Sequence, residues 1–191
     1  LVLSRVYVGE VWLLAGQSNM EMPLKGFRDQ PVLGSTDEIL QSARFPIHWI
    51  RVPRHSTTVP QDTIKPAQWQ AAAPSNAGDI SATGWFFARE LTDYLKVPVG
   101  LIMCNYGGSS IEAWMQAAWL ENIASYQIPE PGEEITVANQ TPTTLFNGML
   151  HPIIGYGLRG CLWYQGESNY TQPARYLKLF PALVAGWRSL W

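Results

Sequence analysis

The chain has 191 residues, of which 47% are hydrophobic and 15% charged, and its formal net charge at pH 7 is −2. This length suits one domain, and the large apolar fraction excludes a disordered chain, a coiled coil and a charge-laced helical array. No basic run interleaves with aromatic residues, which argues against a nucleic-acid partner. No apolar stretch reaches the roughly 18 residues that cross a bilayer, so we expect no membrane partner.

In chain order, four short apolar runs predict buried strands, and helical patterns and long loop-rich segments lie between them. The predicted strands are 6–15, 47–52, 97–105 and 158–165. The predicted helices are 82–95, with Ser81 or Thr83 as its N-cap, 111–125, one that opens at Pro173, and a further one that starts at Pro181. Strands that alternate with helices predict an α/β domain with a parallel sheet covered on both faces.

Three of the four predicted strands end in glycine and serine with amide side chains nearby. These ends read Gly16-Gln17-Ser18-Asn19-Met20, Tyr106-Gly107-Gly108-Ser109-Ser110 and Gln165-Gly166-Glu167-Ser168-Asn169. Ligands of such sheets bind outside the carboxyl ends of the strands, so we expect the three turns to meet there.

Acyl transfer needs a hydroxyl nucleophile at a sharp turn, and Ser18 fits this role because it follows a strand and Gly16. Ser168 is the rival nucleophile, since it also follows a strand and a glycine. On this pattern alone, a serine in a turn or a helix cap is the competing interpretation at either position.

The same chemistry needs hydrogen-bond donors for the developing oxyanion. The backbone N–H of Ser18 is one candidate, and that of Gly108 (or Gly107) is a second, because glycine lets the backbone approach a substrate closely. A side-chain amide is the third, and Gln165 or Asn169 can supply it.

Gln17, Glu167 and His151 are candidates to line the substrate site. The alternative for Glu167 is that it hydrogen-bonds to backbone N–H groups and so fixes its turn. The alternative for His151 is that it packs in the protein and does not contact the substrate. A serine nucleophile needs a base, yet neither His48, His55 nor His151 has an aspartate placed as a local partner. The three histidines lack the spacing of metal ligands, which argues against a metal site. The Gly-x-Gly-x-x-Gly run at 155–160 leads into a strand instead of opening a helix, which argues against a dinucleotide site. We therefore expect no cofactor.

The segments 9–20, 107–114 and 163–169 resemble the signature blocks of the sialate O-acetylesterase family of SGNH/GDSL hydrolases, which is related to acetylxylan esterases. The resemblance implies a three-layer α/β/α fold of flavodoxin-like type. It also implies serine-dependent removal of acetyl groups from sugar hydroxyls, most simply from sialate, with an acetylated sugar as partner and without a cofactor.

By the same resemblance, the nucleophile is Ser18, and the oxyanion donors are the Ser18 and Gly108 backbones and an amide of the third block, Gln165 first and Asn169 second. The family's base comes from an Asp-x-x-His motif after a fifth strand, and this sequence contains no such motif. We therefore predict that 1–191 is a partial catalytic domain, truncated at both ends, that lacks its base and depends on the remaining segments of a longer polypeptide.

Two other functions stay open: deacetylation of a polysaccharide of the xylan type, and non-catalytic carbohydrate binding on the esterase scaffold. For the second, four tryptophans are candidates to stack on sugar rings: Trp85, Trp114, Trp119 and Trp163. Sialate carries a carboxylate, for which four arginines are available: Arg28, Arg51, Arg54 and Arg175.

Cys104 and Cys161 both lie in apolar strand-like runs, which predicts buried structural thiols. The sequons at Asn139 and Asn169 are interpreted as chance, because a glycan on Asn169 would obstruct the predicted site. We expect an exported bacterial protein, extracellular or periplasmic.

Overall fold

The computed structural model describes residues 6–191, so residues 1–5 of the predicted domain lie outside the described residues. Its centre is a five-stranded sheet with the order β3-β2-β4-β1-β5, in which all pairings are parallel except that of β2 with β3. The strands are β1 (Glu10–Gly16), β2 (Ile47–Arg51), β3 (Gln70–Ala71), β4 (Val99–Asn105) and β5 (Gly160–Tyr164).

The helices are α1 (Ser18–Glu21), α2 (Ser35–Gln41), α3 (Ala82–Leu95), α4 (Ala117–Leu120) and α5 (Pro173–Leu190). Single turns of 3₁₀ helix lie at Ser42–Arg44, Ala77–Asp79, Ile111–Trp114, His151–Ile153 and Glu167–Asn169, and a π-helical turn at Phe146–Leu150. The helix predicted over 82–95 is confirmed, and Ser81 is its N-cap, because the Ser81 Oγ accepts a hydrogen bond from the Gly84 N–H at 3.1 Å.

Successive side chains of β1 point to opposite faces of the sheet and enter two separate cores. Leu13 packs on one face with residues of α5, and Leu14 packs on the other with residues of α3. Helices therefore cover both faces of the sheet, and the predicted three-layer α/β/α architecture is confirmed.

The strand predictions were right in place and wrong in extent. The strand predicted over 6–15 begins at Glu10, since Val6, Tyr7 and Val8 are exposed and outside the sheet. The other runs shrink at their ends, and Pro98, which has no N–H to give to a ladder, precedes β4. The two-residue β3 was missed because it is too short to show a period.

The helix predicted over 111–125 is wrong: the chain makes a 3₁₀ turn at Ile111–Trp114, an extended residue at Gln116, and the short α4. All four residues of the turn at Ile111–Trp114 are buried, so this segment has no exposed face and lacks the amphipathic pattern of a surface helix.

The predicted break at Pro181 is also wrong, because α5 continues through it. The carbonyl that the proline leaves without a donor, four residues earlier, belongs to Leu177, which is 77% exposed and reachable by water.

The two cysteines are free, and they differ in burial. Cys104 is buried as predicted, and burial raises the pKa of its thiol. The prediction for Cys161 was wrong: this residue is exposed, since it lies on β5 at the edge of the sheet. Within residues 6–191, no helix is both long and apolar enough to cross a membrane.

Candidate active site

Three turns meet at the carboxyl edge of the sheet, one after each of β1, β4 and β5. Gly16, the last residue of β1, pairs with Asn105 of β4 and with Tyr164 of β5. The backbone then joins the turns directly, because the Tyr106 N–H donates to the Gly16 carbonyl and the Gln17 N–H to the Tyr164 carbonyl, both at 3.0 Å. The three sequence blocks predicted to converge therefore do so.

Ser18 is the first residue of α1 and is half-buried at this edge. The chain reaches it through a sharp bend at Gly16, where φ is +136° and a Cβ would overlap the Tyr164 carbonyl, so glycine is required. Among residues 6–191, the Ser18 hydroxyl has no hydrogen-bond partner. It is a hydroxyl at a strand-to-helix turn, left free for another group.

The Gly107-Gly108 turn lies against Ser18. A Cβ placed on Gly107 would be 3.8 Å from the Ser18 Cβ. The Gly107 N–H is engaged, since it donates to the Glu21 Oε2 at 2.7 Å. Gly108 has a φ of +70°, and within residues 6–191 its N–H has no acceptor. Of the two glycines left open by the sequence, the geometry thus favours Gly108 as the free donor.

The amide nitrogens of Gln165 and Asn169 are both bonded within the protein, whereas the Gln165 Oε1 is buried and has no hydrogen-bond partner within residues 6–191. The Gln165 Nε2 donates to the Asn169 Oδ1 at 2.7 Å and to the Ser109 carbonyl at 3.0 Å, which uses both of its hydrogens. The Asn169 Oδ1 also accepts from the Ile111 N–H at 3.0 Å, and its Nδ2 donates to the Glu112 Oε2 at 2.9 Å. This buried network ties the β5 turn to the segment after β4, and the choice of a third oxyanion donor stays a prediction.

Gln17 and Glu167, two candidates for substrate contacts, also bond within the site. The buried Gln17 Oε1 accepts from the Gly166 N–H at 3.4 Å and from the Ser168 N–H at 3.1 Å, so Gln17 supports the β5 turn. The exposed Glu167 accepts a hydrogen bond from the Asn19 side chain. Gln17 thus braces the β5 turn, whereas Glu167 bonds to a side chain of α1 and not to the backbone N–H groups of its own turn.

The three histidines have other contacts. The His151 Nδ1 lies 2.8 Å from the Gln61 carbonyl, and its ring packs 6.1 Å from that of Phe146. His48 packs against Tyr7, and burial lowers the pKa of both His48 and His55. Within residues 6–191, no histidine is hydrogen-bonded to Ser18. The structure thus does not join His151 to the predicted nucleophile.

Of the four arginines considered for a substrate carboxylate, Arg54 lies beside the turns. It forms an ion pair with Glu21 and its guanidinium lies 4.4 Å from the centroid of the Tyr106 ring. Arg51 donates to the Asp79 carbonyl, and burial lowers its pKa. The other two lie elsewhere: Arg28 is almost fully exposed, and Arg175 lies over the Tyr126 ring.

The sequence reading missed the side chains that hold the Gly107-Gly108 turn. The Glu21 carboxylate accepts from the Gly107 N–H. The Asn139 amide donates to the Gly107 carbonyl at 2.8 Å, and the Gln140 amide donates to the Gly108 carbonyl at 3.4 Å. A signal for Glu21 was present, because it lies one helical turn after Ser18. Nothing in the sequence indicated that the 127–144 loop reaches this turn.

Comparison with known proteins adds the family. The family described as carbohydrate esterase, sialic acid-specific acetylesterase, matches residues 8–189. Sialate O-acetylesterases of Pongo abelii and Homo sapiens are 32% and 31% identical over 96% of the chain, which spans 36% of each relative's length.

Solved structures give the same result for the fold. A carbohydrate acetylesterase from Xanthomonas citri superposes with a TM-score of 0.81 at 36% identity, over 95% of this chain and 38% of that one. An Arabidopsis thaliana protein, at a TM-score of 0.53 and 18% identity over 94% of this chain and 68% of that one, shares the fold alone. This chain therefore belongs to the family of sialic acid-specific carbohydrate acetylesterases.

Proposed function

We propose that this chain supplies the nucleophile and oxyanion donors of a serine-dependent carbohydrate O-acetylesterase. The observation that carries the proposal is the position of the free Ser18 hydroxyl against the Gly107-Gly108 turn, whose Gly108 N–H is also free. A nucleophile beside an unused donor is the minimum arrangement for acyl transfer.

The proposed reaction has two steps. The Ser18 hydroxyl gives its proton to a histidine, and its oxygen attacks the acetyl carbonyl, whose oxyanion is held by the N–H groups of Ser18 and Gly108. The bond from the carbonyl carbon to the sugar oxygen then breaks, and the sugar leaves as an alcohol with the proton from the histidine. Water, deprotonated by the same histidine, releases acetate from acetyl-Ser18.

The base is proposed on a histidine outside this chain, in another segment of the polypeptide. The support is that His151, the candidate at hand, is bonded to Gln61 and packs on Phe146, and that the sequence has no Asp-x-x-His motif. We therefore expect these 191 residues alone to be at least about 10³-fold less active than a polypeptide with a complete triad.

The proposed substrate is an acetyl ester on a sugar hydroxyl, with O-acetylated sialate as the first candidate. The family and its relatives support this choice. The half-exposed Arg54 beside the Gly107 turn is a cation within reach of a substrate carboxylate. A neutral acetylated polysaccharide would not use that cation, so hydrolysis rates on acetylated sialate and acetylated xylan separate the two substrates.

Non-catalytic sugar binding has little support from the tryptophans named for it. Trp85 and Trp114 are fully buried, and Trp119 and Trp163 pack against the core. Their rings contact protein groups: Trp163, for example, packs edge-on against Trp114 and Trp187. Buried rings offer no platform on which a sugar can stack.

Ser18→Ala in the longest native polypeptide that carries this chain tests the proposal. Hydrolysis of p-nitrophenyl acetate and of O-acetylated sialate should fall at least about 10³-fold, and a serine-directed phosphonate should label Ser18 in the parent protein. Ser168→Ala is the matched control, and it should keep full activity. Equal activity of Ser18→Ala and its parent, or labelling of Ser168, would contradict the assignment.

We also propose that the protein is exported, to the periplasm or the cell exterior of a bacterium. The support is indirect: the side-chain nitrogens of both sequon asparagines are engaged, Asn139 with the Gly107 carbonyl and Asn169 with Glu112. A glycan on either nitrogen would break a bond that holds a site turn, so the sequons give no reason to assign a glycosylating host. Cell fractionation with an antibody against this chain tests the location.

A further inference from the structure

Both oxygens of the Glu21 carboxylate are bonded, and each bond reaches a different part of the site. The Oε2 accepts from the Gly107 N–H at 2.7 Å, and the Oε1 pairs with Arg54. The Glu21 side chain is only 13% exposed, against 51% for that of Arg54. Glu21 ends α1, the helix that Ser18 opens, so this carboxylate connects the helix of the nucleophile to the turn after β4.

The Gly107 residue is held from two sides. Glu21 holds its N–H, and the Asn139 Nδ2 donates to its carbonyl at 2.8 Å. A trans peptide plane carries its carbonyl and the next N–H in opposite directions. By fixing the Gly107 carbonyl, Asn139 therefore also sets the direction of the Gly108 N–H, the donor that the protein leaves unused.

A carboxylate suits this position better than an amide of the same shape. An ionised carboxylate is acceptor-only, so it holds the Gly107 N–H and the Arg54 guanidinium at the same time. A glutamine has one acceptor oxygen, and its NH₂ group would face one of the two donors. The Arg54 guanidinium is in turn held over the Tyr106 ring, next to Gly107 in the chain.

We propose that Glu21 is a positioning residue, which together with Asn139 fixes the Gly108 N–H relative to Ser18 so that both act on one carbonyl oxygen. The inference rests on the proposed esterase function and adds two residues to it that touch neither substrate nor product. Its requirement is geometric: a donor that moves by about 1 Å can lose a factor of 10² in rate.

Glu21→Gln in the longest native polypeptide tests the role by its kinetic signature. With p-nitrophenyl acetate, which has no carboxylate for Arg54 to bind, kcat should fall about 10- to 100-fold while KM stays within about twofold. The reason is that the donor acts on the oxyanion of the transition state and hardly on the bound ester. Glu38→Gln is the matched control. Like Glu21, the Glu38 side chain is mostly buried, with 16% exposure, and it pairs with an arginine, Arg89. It also accepts a hydrogen bond from the indole N–H of Trp85 at 2.8 Å. It lies on α2, however, away from the three turns.

A second variant and a second measurement guard against a simple loss of folding. Asn139→Ala should lower kcat in the same way, since it frees the Gly107 carbonyl. Hydrogen exchange of the Gly107 amide should quicken in Glu21→Ala, which leaves this N–H without its acceptor, and stay unchanged in Glu38→Ala.

The outcomes separate the two levels of the proposal. If Ser18→Ala abolishes hydrolysis but Glu21→Gln and Asn139→Ala keep kcat within twofold of the parent, the positioning role is wrong and the esterase assignment stands. Equal losses in Glu21→Gln and Glu38→Gln also overturn the positioning role, because they indicate general destabilisation. If the parent shows no hydrolysis that depends on Ser18, both levels fail.

Discussion

Asn169 is the side chain whose loss should cost the fold most at the site. It is buried, and its amide accepts hydrogen bonds from the Ile111 N–H and the Gln165 Nε2 and donates one to Glu112. Replacement by alanine removes all three bonds at once. The Ile111 N–H and one oxygen of the buried Glu112 carboxylate are then left without these partners.

A buried group left without a partner costs about 1–3 kcal/mol, and two groups are affected, so the free energy of unfolding should fall by about 2–6 kcal/mol. For a chain of this size, 1 kcal/mol shifts the melting temperature by about 2–4 °C, which gives a loss on the order of 10 °C. Urea unfolding of Asn169→Ala and its parent measures the difference. Asn122→Ala is the control, since this exposed asparagine should change stability by less than about 0.5 kcal/mol.

Asn169→Asp sharpens the test because it keeps the acceptor and removes the donor. Its carboxylate would face that of Glu112, and two ionised carboxylates at this distance repel each other. The repulsion is weakest at low pH, where carboxylates carry the least charge, and grows as pH rises. Asn169→Asp should thus be closer to its parent at pH 5 than at pH 7. A loss under about 1 kcal/mol in Asn169→Ala, or no pH dependence in Asn169→Asp, would refute the network.

Two further predictions concern the edge of the sheet and the alkaline range. Gly16→Ala should lower the free energy of unfolding by at least about 2 kcal/mol, because φ is +136° and the methyl group would overlap the Tyr164 carbonyl. The control in the same urea assay is Gly157→Ala, because Gly157 has open space around it. Equal effects of the two substitutions would contradict the reasoning. Burial, aided by the charge of Glu112, raises the pKa of Tyr126 to about 12. The pKa of an unfolded tyrosine is about 10, so the contribution of Tyr126 to stability is intact below pH 10 and is lost as pH rises to about 12. Urea unfolding should show this loss in the parent and not in Tyr126→Phe.

The sequence was sufficient to place the three site turns together, since parallel strands put their carboxyl ends on one edge. Ser18 and Gly107 are neighbours for this reason, although they lie far apart in the sequence. The helix at 82–95 was also predictable, because its apolar stripe and the Ser81 cap agree.

The sequence was not sufficient for contacts made by irregular segments. Asn139 and Arg54 lie in loops without a period, and only the folded chain shows that both reach the Gly107 turn. The segment 111–125 failed for another reason: its apolar residues are buried on all sides in short turns, so their number does not indicate a helix. The unbroken α5 shows that a helix can contain an internal proline where water can bond to the carbonyl that loses its donor.

The sheet order leaves one of the three turns at the end of an edge strand. In the described part of the chain, β5 has a ladder partner on one side only, β1, and it carries Gln165 and Asn169. A one-sided strand detaches at a smaller free-energy cost than an inner one. Release of β5 would remove the Gly166 and Ser168 N–H groups from the side chain of Gln17, which precedes Ser18. A strand that paired with the free edge of β5 would therefore also stabilise the position of Ser18.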